Sequence, residues 1–181
     1  MTESTQATAP PEPRPTPAGE PETSQPRSFR DQVLGIAGYV GALRRGPRAV
    51  LRRLDADDET IPPQEFWNVV ERYGIRGSDE RFWLAVLPLM VRYPHRFDRT
   101  LGRALAAAGV SASRVERWLR LDSAAARREA GRLLSHLKGE GLDWIKLAYL
   151  LRDWSDEQRR GFARDFFLSP EYRQRQTKGD S

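Results

Sequence analysis

The 181-residue sequence contains no cysteine. That excludes disulfides, thiol nucleophiles and cysteine-ligated zinc, and fits a reducing compartment. Histidine is nearly absent too. His95 and His136 are the only two, and neither stands in an H-E-x-x-H or other paired-ligand spacing. There is no G-x-x-x-x-G-K-[ST], no G-x-G-x-x-G and no G-x-S-x-G. Nothing therefore points to an enzyme, a metal, a cofactor or a small-molecule ligand. No apolar run approaches the roughly 20 residues needed to span a bilayer. The N-terminus lacks a basic segment followed by an apolar one, so a cytoplasmic protein away from membranes is expected. The alternation of apolar and polar residues that marks a half-buried strand is missing as well.

What is present is arginine. Formal charge is +5, and Lys138, Lys146 and Lys178 are the only lysines among 30 basic residues. A GC-rich genome raises the arginine count whatever the function, but it does not decide where arginines cluster. "LRRGPRAVLRRL" carries Arg44, Arg45, Arg48, Arg52 and Arg53 with no acid. Arg45, Arg48 and Arg52 share one helical face, because residues three and four apart are neighbours. Further stripes are Arg92, Arg96, Arg99 and Arg103, then Arg114, Arg117 and Arg120, then Arg127, Arg128 and Arg132. A pair such as Glu116 with Arg120 accounts for part of the later stripes. The first has no local acid and reads as phosphate-binding, a task suited to the bidentate guanidinium. "DADDE", Asp55–Glu59, lacks calcium-loop spacing and reads as a solvated loop before a helix.

The fold class expected is all-α: two small helical bundles in tandem behind a disordered, Pro-rich N-terminal tail. Residues 1–30 are rich in Pro, Thr, Ser and Glu and have almost nothing apolar to bury. Residues 31–96 form the first bundle. Val33, Ile36, Val40 and Leu43 recur at helix spacing, and Pro62 and Pro63 can open a helix that ends at Gly74 and Gly77. Ser78 reads as the cap of the most apolar helix. "PHRFDRT" breaks the pattern and sets the boundary near Arg96. Residues 97–170 form the second bundle, with helices near 100–108, 111–121, 124–137, 142–151 and 155–168. Ser155 with Gln158 makes a capping box. Residues 171–181 are expected as a flexible C-terminal tail.

"LGRALAAAGVSASRVERWLRLD", Leu101 to Asp122, reads as helix, tight turn, helix. Gly109 stands at the turn, Ser111 caps, and Val115 and Trp118 face inward. A helix-turn-helix transcriptional regulator is thus the alternative function. Its second helix, however, would present Ser111, Ala112, Ser113 and Arg114, a poor set for reading base edges.

The same stretch, followed by "GRLLSHLKGEGLDWIKLAYLLRDW" and "RRGFARDFFL", resembles the small-subunit family (CasB) of the type I-E CRISPR surveillance complex, Cascade. The family's G-R-A-L-A, R-x-x-x-L-[IL]-R, R-L-L-x-H, L-D-W and D-F-x-L blocks occur here in order. Leu101–Leu168 is covered closely and Gly35–Tyr93 more loosely; the Pro-rich tail is not part of the pattern. The resemblance implies two helical bundles without an active site. It implies partners as well: the large subunit, the backbone subunits, a second copy of the chain, guide RNA, and target and displaced DNA. It further implies a basic surface that steadies the R-loop while guide pairing reads the sequence. That surface falls on Arg52, Arg53, Arg81, Arg103, Arg114, Arg120 and Arg132, beside Arg45 and Arg48 of the first stripe. After the L-D-W helix, Asp156 and Glu157 replace basic residues the family can show, with Arg159 and Arg160 one turn later as substitutes. Trp118 and Trp144 read as core.

Overall fold

A computed structural model describes residues 28–58 and 60–179. Among them the chain forms ten α-helices and no strand. They are α1 (Phe29–Ala42), α2 (Arg45–Leu51), α3 (Gln64–Tyr73), α4 (Ser78–Arg92), α5 (Leu101–Ala107), α6 (Ala112–Leu119), α7 (Ser123–Leu134), α8 (Trp144–Asp153), α9 (Asp156–Phe167) and α10 (Pro170–Gly179). The all-α expectation holds. The expected disordered tail lies, up to residue 27, outside the described residues.

The central element is α4. Phe82, Trp83, Val86, Leu87, Leu89, Met90 and Val91 are all buried, nearly around the whole helix, and such a helix belongs inside a core. Four helices pack on it: α1, α2, α7 and α8. α1 offers Val33, Ile36 and Val40, one per turn, and also lies on α8. It starts two residues before the expected Asp31, because Phe29 is anchored among Phe82, Trp83 and Tyr149, with ring centroids 5.0–6.1 Å apart. The buried side chains form one cluster containing residues from both sides of Arg96.

Two helix ends differ from expectation. Ser78 is the first residue of α4, and the cap position belongs to Gly77 at φ +57°, a conformation glycine adopts without strain. Ser111 holds the cap position of α6 but its side chain makes no capping bond; its hydroxyl lies 3.3 Å from that of Ser113. Ser155 does cap α9, accepting from the Gln158 N–H at 3.4 Å. The C-terminal segment expected as a tail is helical to Gly179. Ser169 caps α10, and the Tyr172 ring packs on Phe166 and Phe167 at 5.1 and 5.4 Å. One aromatic anchor in a polar segment was too little periodicity to read.

Candidate nucleic-acid interface

Most of the arginines in the stripes line three clefts. Arg45, Arg48 and Arg52 of the first stripe do share a side of α2, and with Ala49, Val91 and Arg92 they line a cleft holding no acidic side chain. Two bonds tie the helices there. Arg48 Nη2 donates to the Val91 carbonyl at 3.1 Å, and Arg92 Nη2 donates to the Arg52 carbonyl at 3.2 Å. Both acceptors are carbonyls at helix C-termini, which lack intrahelical donors and carry partial negative charge. Arg48 is therefore half-buried and partly structural. Arg45 and Arg52 are exposed and, among the described residues, form no ion pair.

Arg53 points elsewhere. It lies in a separate cleft with Asp55 and Asp58, the acids that follow α2 in sequence. Those aspartates also shape their own loop, accepting from the Asp57 and Thr60 N–H groups at 3.0 and 2.9 Å.

The second cleft runs between α6 and α7. Arg114, Arg117, Arg128 and Arg132 line it above Trp118, Leu121 and Leu133. Its one acid, Glu129, is held by Arg132 at 2.7 Å. His136 closes the end, with Nε2 2.7 Å from Arg114 Nη1. A guanidinium only donates, so Nε2 accepts and the proton of the neutral ring sits on Nδ1. Arg127 turns away from this stripe and donates to the Leu151 carbonyl at 3.1 Å. Arg120 stays outside the cleft, 3.8 Å from Glu116 in the expected i,i+4 pair.

The third cleft, between the α4–α5 turn and α10, mixes signs. Arg96, Arg99 and Arg103 meet Asp98, Glu140 and Glu171 around an exposed Phe97. Arg99 is paired with Glu140. Burial, and secondarily the Arg96 charge, draws the Arg99 guanidinium below its ordinary pKa, although arginine stays charged at any working pH.

Of the sequence-derived residues, the structure thus joins Arg45, Arg48 and Arg52 in one cleft and Arg114 and Arg132 in another. Arg103 belongs to the third. Arg53, Arg81 and Arg120 lie in none of the three. Arg117 and Arg128, read as members of the later stripes but not as site residues, line the second cleft, each three or four positions from one that was named. Arg92, read in the stripe with Arg96, Arg99 and Arg103, lines the first cleft, reaching across 40 residues of sequence to α2.

Arg159 is not the free substitute expected after α8. It donates to the Leu119 carbonyl at 3.0 Å and pairs with Asp156. Arg160 remains exposed, in a groove where Lys146, Arg160 and Arg164 face Asp156, Glu157 and Asp165.

The α5–α6 pair has the features that suggested a DNA reader: Gly109 at φ +78°, and Val115 and Trp118 buried. Yet Arg114 and Arg117 face a cleft whose other wall is α7. A recognition helix needs its outer face clear to enter a major groove. Trp118 and Trp144 are core as expected, their indole N–H groups donating to the carbonyls of Ala126 (3.0 Å) and Tyr93 (2.6 Å).

Comparison with known proteins adds one finding. The family model for CRISPR-associated protein Cse2 matches residues 47–167, a span that leaves out α1 and α10. Searches of curated proteins and of solved structures found no match. With well over half of the chain matched, the chain belongs to the CRISPR-associated protein Cse2 family, the CasB small subunits of type I-E Cascade.

Proposed function

We propose that the protein is a non-catalytic Cascade subunit that binds nucleic acid without sequence preference and stabilises the R-loop. In this reading it sits beside the large and backbone subunits with a second copy of itself, near the guide RNA and the target and displaced strands. The observation that carries the reading is the α2–α4 cleft, where Arg45, Arg52 and Arg92 converge with no acid among the lining residues. Clustered like charges disfavour folding slightly, so an external anion best accounts for them. The lining has no Asn or Gln to address base edges, which fits backbone contact and leaves sequence to the guide. The α6–α7 cleft supplies a second set of cations of the same kind.

The test is target-DNA binding by reconstituted complex carrying Arg45→Ala with Arg52→Ala. Affinity should fall about tenfold or more, since a charge-assisted hydrogen bond contributes roughly 1.5–3 kcal/mol. The loss should be alike for every matched target, with R-loop lifetime shortened and the thermal melt unchanged. Undiminished binding would remove this cleft from the interface. A single duplex bound about a thousandfold tighter than random DNA by the isolated chain would favour the transcriptional regulator instead.

A further inference from the structure

Phe97 lies in the third cleft, in the turn between α4 and α5, and is 62% exposed. One exposed apolar residue is ordinary; its setting is not. The backbone around it is stitched to residues 141–143. The Arg96 N–H donates to the Leu142 carbonyl at 2.8 Å, the Leu142 N–H to Pro94 at 2.9 Å, and the Asp143 N–H to Arg99 at 2.8 Å. Gly141 permits this approach, because a Cβ there would lie 2.8 Å from the Pro94 carbonyl oxygen. The ring itself is oriented. His95 meets it edge to face with centroids 4.4 Å apart, and His95 Nδ1 accepts the Trp144 N–H at 3.2 Å.

The charges beside the ring suggest what covers it. Arg96 and Arg103 are exposed and, among the described residues, form no ion pair, whereas Arg99 is engaged by Glu140. A fixed aromatic face beside free guanidinium groups matches the repeating unit of a single nucleic-acid strand, a base next to a phosphate. A duplex offers no such base face, because its bases are stacked. Arg92 of the α2–α4 cleft stands four residues before Arg96, at most about 14 Å along the chain. A strand leaving that cleft reaches Phe97 within a few nucleotides.

We propose that Phe97 is a stacking platform for an unpaired base of single-stranded nucleic acid, with Arg96 and Arg103 contacting the adjoining phosphates. This rests on the nucleic-acid reading above and narrows it to an unpaired strand. Asp98 and Glu171 line the same cleft and oppose a polyanion, so they hold the affinity down. Glu171 comes from α10, outside the family match.

The experiment measures anisotropy of a labelled oligothymidylate and of a labelled random duplex with the isolated full chain. Phe97→Ala should weaken single-strand binding about tenfold, leave the duplex affinity unchanged and leave the salt slope unaltered. Phe97→Trp should bind the single strand at least as well as the wild type. Glu171→Gln should tighten it. The proposal is overturned if Phe97→Ala leaves single-strand affinity intact while Arg45→Ala with Arg52→Ala lowers it; the broader reading then survives alone. Equal losses on both ligands would also overturn it. So would unchanged strand binding combined with lost copurification of other Cascade subunits, which would make Phe97 a protein contact. If the wild-type chain binds neither ligand, both readings fall.

Discussion

Arg52 and Arg53 are adjacent in sequence and occupy different surfaces. Arg52 ends α2 on the side of Arg45, while Arg53 sits with Asp55 and Asp58. Single substitutions should separate them. Arg52→Ala should lower nucleic-acid affinity severalfold, and Arg53→Ala should change it little, because nearby carboxylates already offset its field. Both should melt within about 0.5 kcal/mol of the wild type, as exposed charges usually do. Equal losses of affinity from the two variants, read by titration with one oligonucleotide, would place both on one interface. Arg48→Ala should differ from each by costing stability, roughly 1 kcal/mol, through its lost bond to the Val91 carbonyl. The face formed by Arg45, Arg48 and Arg52 was legible because helix spacing alone defines it. The isolation of Arg53 was not, because it depends on where the following turn folds back. Nor was Arg92, whose place beside α2 is a matter of tertiary packing.

Gly102 sets how closely α5 and α9 approach. A Cβ there would lie 2.8 Å from both Asp165 Cβ and the Phe166 nitrogen, and 2.9 Å from the Phe162 carbonyl oxygen. Two of those three atoms are backbone and cannot rotate aside. Gly102→Ala gains about 1 kcal/mol of helix propensity, but forcing two packed helices apart commonly costs 1–3 kcal/mol. The melting temperature should fall by several degrees, at about 2–4 °C per kcal/mol for a chain of this size. Gly38, on α1 with nothing within 4 Å of a built Cβ, is the control, and Gly38→Ala should raise the melt or leave it unchanged. If the two alanine variants melt alike, the α5–α9 contact is looser than described. Helix positions were readable for α3 to α9 because apolar side chains recur at helical spacing there. Which helix Gly102 would meet was not, since no local pattern names a partner 60 residues away. α10 escaped for the opposite reason: it is polar throughout except for Tyr172.

"PHRFDRT" was read as a boundary because it interrupts helical periodicity. In the fold, backbone bonds tie residues 94–99 to 141–143, and buried residues on both sides share one cluster. Breaks in local pattern show where helices stop and say nothing about what lies beside them. The clefts are thus fixed relative to one another by a common core, and a single strand has two predominantly basic surfaces to choose from. The α2–α4 cleft offers Arg45 and Arg52, with Arg48 and Arg92 each donating to a backbone carbonyl; the α6–α7 cleft offers Arg117 and Arg128, with Arg114 bonded to His136 and Arg132 held by Glu129. Salt dependence counts how many are used. Each phosphate neutralised on a single strand contributes about 0.7 to the slope of log affinity against log salt. One cleft of two free cations should therefore give about −1.4, and both together about −2.8. Arg45→Ala with Arg52→Ala removes two contacts and should flatten the slope by about 1.4. Arg117→Ala with Arg128→Ala should flatten it equally if the strand spans both clefts, and should leave it unchanged if only the first is occupied. A slope near zero in the wild-type chain would mean that neither cleft binds phosphate, and that the arginines serve contacts between subunits.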